Sequence, residues 1–104
     1  MRLRTMIVAL VMLTAFGATA QNAGPNPGRA IAASCANCHG TNGVSIGPVP
    51  SLAGAAKGDL ATKMQEFKSG KRTGTIMPQL AKGYTDEQID LAAAWFASQP
   101  APAK

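Results

Sequence analysis

Both cysteines and the single histidine of this 104-residue sequence lie in one five-residue segment, CANCH at positions 35–39. On a turn of helix, residues three and four apart share a face, so Cys35 and Cys38 can present two sulfurs on one side. His39 follows directly and can point a ring nitrogen at a metal held there. Cys-x-x-Cys-His is the attachment signature of a c-type haem. We therefore predict one haem c, bound covalently through Cys35 and Cys38, with His39 as an iron ligand.

Two other chemistries use paired cysteines, and a chance match to three fixed positions is a third possibility. A structural zinc site needs four ligands, whereas the sequence offers three soft candidates. A thioredoxin-like dithiol needs a βαβ setting, and the sequence shows no strand pattern. We favour haem because exported cysteines normally oxidise, and thioether formation gives both sulfurs another use.

The N-terminal segment is typical of a secretory signal peptide. Two arginines precede an almost wholly apolar run over residues 6–15, and small residues then end at Ala20. We predict that residues 1–20 are cleaved and that residues 21–104 form one exported, periplasmic domain without stable membrane insertion. An uncleaved anchor is the alternative, but the apolar run is short against the ~20 residues that a membrane span needs.

Length and charge exclude several classes of protein. A chain of 104 residues forms one domain at most, which excludes barrel and two-domain enzymes. The net charge is +5 for the whole sequence and +3 for residues 21–104, since two arginines lie in the predicted signal peptide. No cluster of Lys and Arg is interleaved with aromatic residues, so nucleic acid is not an expected partner.

The single histidine makes bis-histidine ligation impossible, so the sixth ligand is methionine, lysine, water or a vacancy. Two methionines remain after signal cleavage, Met64 and Met77. Met64 shares an apolar helix face with Leu60 and Phe67, which favours core packing. Met77 precedes Pro78 in an irregular stretch, where gap filling is its ordinary role. We favour Met77 as the sixth ligand, because methionine and histidine are a recognised pair of haem ligands. An iron with both axial positions occupied has no site for a substrate, so this ligation predicts electron transfer without catalysis.

Three predicted helices must position these residues. The first starts at Asn26-Pro27, where Asn suits the N-cap and Pro the first helical position. The third starts at the capping box of residues 85–88. The three predicted helices cover residues 28–36, residues 59–69 and the segment from the capping box to Pro100. Glycine- and proline-rich loops at residues 40–57 and 71–83 separate them. We predict an all-α domain whose small core is completed by a bound apolar group.

The sequence resembles the class I cytochromes c. The resemblance is carried by CANCHG at 35–40, PSLAG at 50–54, Met77-Pro78 and the C-terminal amphipathic helix, and it covers residues 27–99. It implies a small all-α fold, with three main helices and long loops wrapped around one haem. The N- and C-terminal helices would cross at the haem edge, with Gly28 and Ile31 facing Ala92, Trp95 and Phe96.

The same resemblance implies a set of site residues. Cys35 and Cys38 match the thioether cysteines, and His39 and Met77 match the two axial ligands. Pro50 matches the proline whose carbonyl oxygen accepts the N–H of the proximal imidazole, which would fix the ring and raise its basicity. Leu52 matches a leucine that packs against the haem.

A narrower resemblance concerns the cytochrome subunit of flavocytochrome c sulfide dehydrogenase. It is carried by FKSGK at 67–71, TIM at 75–77 and AKGYT at 81–85. It implies a haem subunit that accepts electrons from a sulfide-oxidising flavoprotein. Free cytochromes share much of this pattern, so a free monohaem electron shuttle is the alternative. A haem-based sensor is a further hypothesis and would require that Met77 does not ligate.

Four basic residues bracket Met77, and they allow two interpretations. They could steer an acidic partner to an exposed haem edge, or they could form an ordinary solvated positive face. The four are Lys68, Lys71, Arg72 and Lys82.

Overall fold

The computed structural model describes residues 26–104, which form an all-helical domain; the predicted signal peptide at residues 1–20 lies outside the described residues. The elements are α1 (Pro27–His39), a 3₁₀ turn (Thr41–Gly43), α2 (Lys57–Ser69), α3 (Met77–Ala81) and α4 (Asp86–Ala97). No strand occurs between residues 26 and 104, so the all-α prediction is confirmed. None of the helices in this range is long and apolar enough to cross a bilayer.

Helix α1 begins where the sequence predicts and extends further than predicted. The Asn26 side chain accepts hydrogen bonds from the backbone N–H groups of Gly28 at 2.9 Å and Arg29 at 3.2 Å, and Pro27 occupies the first turn. The helix continues past residue 36 to His39. The whole CANCH motif is therefore helical, which places its cysteines one turn apart.

Helix α4 begins with the predicted capping box. The Thr85 hydroxyl accepts from the Gln88 N–H at 3.1 Å, and the Thr85 N–H donates to the Gln88 side chain at 2.9 Å. Asp86 and Glu87 lie in the first turn, where negative charge interacts favourably with the helix dipole. The start of α4 is thus fixed by residues adjacent in sequence.

The prediction that residues 71–83 are wholly irregular is wrong, because this stretch contains α3. Pro78 lies in the first turn of α3, where its missing N–H costs nothing because no helical partner exists there. It therefore starts a helix instead of preventing one. Helix α2 also begins two residues before the predicted boundary, at Lys57.

The predicted crossing of the N- and C-terminal helices is present. Gly28 of α1 lies so close to the Leu91 carbonyl oxygen of α4 that a Cβ there would collide with it. The buried core beneath this crossing consists of Ala32, Leu60, Ala93 and Phe96. Trp95 packs against that core and meets Phe96 edge to face, with ring centroids 5.2 Å apart. Ile31 of α1 is half-buried.

Candidate functional site

The two cysteines of α1 have different surroundings. Cys35 is half-buried and packs against the core, whereas Cys38 is exposed. Burial raises the pKa of the Cys35 thiol, against a smaller lowering by its hydrogen bond with Ser34. In the unmodified chain Cys35 therefore stays protonated at neutral pH.

His39 ends α1 as a buried side chain held by one short hydrogen bond. It is 8% exposed, and its Nδ1 lies 2.6 Å from the carbonyl oxygen of Pro50. A carbonyl oxygen only accepts, so Nδ1 carries the proton and donates. Within residues 26–104 no hydrogen bond engages Nε2. The ring is thus fixed as the tautomer whose Nε2 lone pair remains available to a metal.

The loop that carries Pro50 is closed by backbone hydrogen bonds near its base. The Gly43 carbonyl oxygen accepts from the N–H groups of Leu52 at 2.8 Å and Ala53 at 3.0 Å. Gly43 has a φ of +80°, and a Cβ there would lie 2.7 Å from the Phe96 ring. Only glycine combines that backbone conformation with that contact. Gly43 therefore links the position of Pro50 to the core beneath it.

Leu52 lies where this loop returns to the protein body. It is half-buried and packs against the core cluster that contains Ala32 and Phe96. The structure thus brings Pro50 to His39, and it brings Leu52 to the core that Cys35 also contacts.

A cleft of about 560 Å³ opens beside Cys38. Its wall includes apolar side chains of the loop, namely Val44, Ile46, Pro48 and Val49. The exposed thiol therefore lies in the wall of an open cleft with apolar sides. His39 and Met77 are not among the residues that line it.

Met77 is the first residue of α3, which packs against α2. Met77 is half-buried, while its neighbours Ile76 and Leu80 are 59% and 48% exposed. Large apolar side chains exposed together indicate a surface that another group covers. The sequence predicted that Met77 lies in a loop, and the structure places it at a helix start.

A polar cluster joins α2 to the beginning of α4. Lys68 Nζ donates to the Tyr84 carbonyl oxygen at 2.7 Å and to Asp86 Oδ1 at 3.1 Å. The Gln65 amide donates to the same Asp86 oxygen at 2.9 Å. These bonds, from Gln65 first and Lys68 second, lower the pKa of Asp86. No local sequence pattern predicts this cluster, since each of its hydrogen bonds joins residues 16 to 21 positions apart.

The four basic residues around Met77 fall into two groups. Lys68 pairs with Asp86, and Arg72 pairs with Glu66 at 2.8 Å. The Arg72 guanidinium also lies 5.7 Å from the centre of the Phe67 ring. Lys71 and Lys82 are exposed and form no ion pair with any residue from 26 to 104. The positive groups open to a partner are thus fewer than the sequence suggests.

The residues present fit a covalently held haem. Two thiols lie one turn apart beside a histidine with a free Nε2, and uncovered apolar side chains adjoin Met77. The cytochrome c family model matches residues 26–100. The chain belongs to the cytochrome c family. A cytochrome c carries haem c bound through the cysteines of a Cys-x-x-Cys-His motif, and Cys35 and Cys38 have that spacing.

Similar curated proteins support this family assignment. The cytochrome subunit of sulfide dehydrogenase from Chlorobaculum tepidum is 45% identical over 69 residues, covering 66% of this chain and 63% of that protein. A thiosulfate dehydrogenase electron acceptor from Stutzerimonas stutzeri is 37% identical over 81 residues, covering 76% of this chain and 36% of that protein. The chain therefore matches between about a third and two thirds of the length of these curated relatives.

A solved structure also supports this family assignment. The cytochrome c4 of Acidithiobacillus ferrooxidans superposes with a TM-score of 0.68 at 33% identity, covering 78% of this chain and 52% of that chain. The predicted class I fold, the covalent haem c and the resemblance to the sulfide dehydrogenase cytochrome subunit are confirmed. The cytochromes c are electron-transfer proteins, and residues 26–100 of this chain form a domain of that family.

Proposed function

We propose that this cytochrome c transfers electrons in the periplasm through one haem whose iron is ligated by His39 and Met77. We further propose that it serves as the haem subunit that accepts electrons from a sulfide-oxidising flavoprotein. The observation that carries the ligand proposal is the 2.6 Å hydrogen bond from His39 Nδ1 to the Pro50 carbonyl oxygen. It orients the imidazole and increases the electron density that Nε2 offers to the iron.

Met77 is the proposed sixth ligand, for chemical and positional reasons. The chain has no second histidine, so a thioether is the remaining strong side-chain ligand besides an amine. Met77 starts α3 beside exposed Ile76 and Leu80, whereas Met64 is half-buried in the middle of α2. A haem packed against Met77 would cover both apolar neighbours. Leu52 would add apolar contact from the loop that also carries Pro50.

His/Met ligation suits an electron carrier. A methionine thioether paired with a histidine would raise the reduction potential relative to a bis-histidine pair. Filling both axial positions also leaves no open site for a substrate, so oxidation and reduction proceed with little rearrangement. His39 is buried and its ring is fixed by Pro50, which limits reorganisation at that ligand during the electron step.

The proposed partner is suggested by the similar cytochrome subunit of sulfide dehydrogenase and by two lysines that form no ion pair within residues 26–104. Lys71 and Lys82 flank α3 and are exposed. Positive groups near a haem edge increase the rate at which an acidic partner docks. A free shuttle between redox enzymes is the second candidate, favoured by the structural likeness to cytochrome c4 and by the thiosulfate dehydrogenase electron acceptor among the relatives.

A stopped-flow experiment separates the two candidates. Purified oxidised cytochrome is mixed with a flavoprotein sulfide dehydrogenase and sulfide, and haem reduction is followed together with complex formation by gel filtration. A subunit co-elutes with the flavoprotein and is reduced within the complex. A shuttle is reduced only by collision and elutes alone, which would reject the subunit proposal.

Charge-reversal variants test the docking surface in the same assay. We expect K71E and K82E each to slow reduction at low ionic strength by roughly tenfold, since charge steering affects association rates on that scale. K57E, which makes the same charge change at the start of α2, is the matched control. Equal slowing by all three variants would show a general charge effect and no docking surface.

Export is proposed from residues 1–20 alone. Cleavage after Ala20 predicts a periplasmic protein that begins at Gln21 and carries one haem. Intact mass measurement of protein from the periplasmic fraction checks both points, and a mass that retains the first 20 residues contradicts cleavage.

A further inference from the structure

Tyr84 lies in the turn between α3 and α4, and its backbone is hydrogen-bonded to α3 and to α2. Its N–H donates to the Ala81 carbonyl oxygen at 3.3 Å, so it continues the C-terminal end of α3. Its own carbonyl oxygen accepts from Lys68 Nζ of α2 at 2.7 Å. The backbone of Tyr84 therefore moves together with α3 and α2.

The side chain of Tyr84 makes a separate contact with α1. Its hydroxyl lies 2.9 Å from Ser34 Oγ, across 50 residues of sequence. Ser34 Oγ already donates its one hydrogen to the Ile31 carbonyl oxygen at 2.8 Å, so Tyr84 must be the donor. Ser34 directly precedes Cys35. The tyrosine thus reaches the helix turn from which the haem is attached.

This contact links segment 71–85 directly to α1, whereas α3 otherwise packs on α2. Within residues 26–104, it is the single hydrogen bond between segment 71–85 and α1. Helix α3 has five residues and packs against α2, and a helix that short is not stable alone. Met77 occupies one end of α3, and the Tyr84 turn follows the other end.

We propose that Tyr84 is a positioning residue for the methionine ligand. By donating to Ser34, it ties the end of α3 to the haem-attachment helix and so limits how readily Met77 leaves the iron. This inference rests on the proposed ligation by Met77. It adds that the strength of the Met77–iron contact is set partly by a hydrogen bond outside the ligand set.

Displacement of Met77 by imidazole in the oxidised holoprotein measures this effect. An added ligand binds only when Met77 has left, so a weaker tie gives a lower apparent dissociation constant for imidazole. We expect Y84F to bind imidazole about threefold to fivefold more tightly, since a hydrogen bond of ordinary strength changes an equilibrium on that scale. Y84F keeps the aromatic ring and the backbone bond from Lys68.

A double-mutant cycle identifies the bond responsible. S34A removes the acceptor, and we expect it to tighten imidazole binding about as much as Y84F, with little further change in the double variant. S98A is the matched control, because Ser98 also donates to a carbonyl three residues earlier, Trp95, at 2.7 Å and has no bond to Tyr84. A purely structural role would instead lower the unfolding midpoint and leave imidazole affinity unchanged.

The outcomes separate this inference from the ligand proposal. Wild-type protein that shows the methionine–iron(III) charge-transfer band, with no coupling between S34A and Y84F, overturns the role of Tyr84 and leaves Met77 as ligand. Wild-type protein without that band, whose imidazole affinity is unchanged by M77A, overturns both. Equal effects of S34A and S98A also overturn the role of Tyr84.

Discussion

The two sides of the proposed iron site are built differently. The histidine side consists of α1 and the loop from Gly40 to Ala56, and the methionine side consists of segment 70–85 with the residues of α2 and α4 that hold it. On the histidine side the proposed ligand His39 is 8% exposed, and Pro50, whose carbonyl oxygen accepts its hydrogen bond, lies 11 residues away. The same loop has one distant tie, from the Gly54 N–H to the Phe96 carbonyl oxygen at 3.0 Å. On the methionine side, the bonds made by Gln65, Lys68 and Tyr84 join residues 16 to 50 positions apart, and several are exposed. Arg72 adds a shorter link to Glu66, six residues away.

This difference assigns different tasks to the two sides. A bond between near neighbours requires little chain to be ordered, and burial of His39 shields its bond to Pro50 from water. Exposed bonds between distant residues compete with water and contribute less each. We therefore expect the histidine side to anchor the haem, and the methionine side to be where ligand binding and reduction potential are adjusted.

The largest expected effect follows from breaking the histidine side. H39A and C38A should each abolish mature haem protein, because attachment and proximal ligation depend on residues of the same helix turn. Haem staining of the exported protein and its pyridine haemochrome spectrum check this. A normal spectrum from either variant contradicts the haem attachment described here.

The second-largest effect is expected from removing the proposed ligand of the methionine side. M77A should lower the reduction potential by on the order of 0.1–0.2 V, a fraction of the ~0.8 V range over which axial ligands act. It should also open the iron to carbon monoxide. The haem should stay attached, which is the contrast with H39A. M64A is the matched control, and if it produces these changes in place of M77A, the ligand assignment is wrong.

A smaller effect is expected where the histidine side meets the core. G43A forces a Cβ against Phe96 at a positive φ, which adds steric strain to overpacking. We expect a loss of about 2–4 kcal/mol in the free energy of unfolding of the holoprotein, measured by denaturant titration. G47A in the same loop is the control, because a Cβ there meets nothing within 4 Å. Equal losses of unfolding free energy in G43A and G47A would show that the close packing of Gly43 against Phe96 does not contribute to stability.

The smallest effect concerns the charge cluster of the methionine side. The pKa of Asp86 is lowered in the folded protein by Gln65 and then Lys68. Ionised Asp86 therefore stabilises the fold above the ordinary carboxyl pKa of about 4, and this contribution is lost as pH falls through the lower folded-state value. The unfolding midpoint of D86N should lie slightly below that of wild type at pH 7 and converge with it in acid. A constant difference at all pH values contradicts this ionic contribution.

Elements whose signals are local could be predicted from the sequence. The Asn26 cap, the capping box at Thr85 and the helical CANCH spacing depend on residues within four positions of one another, so a linear pattern contains them. Helix α3 was missed because Pro78 is compatible with both a break and a first turn. Only packing against α2 decides between these two structures.

The sequence by itself determined the chemistry of this protein. One histidine and two cysteines in a single motif permit one covalent haem, and the absence of a second histidine in the sequence leaves methionine as the favoured sixth ligand. The tertiary structure decided which basic residues are paired internally, that residues 77–81 form a helix, and that Tyr84 reaches α1. The physical reason is distance along the chain, since contacts between residues far apart arise from packing and have no local pattern.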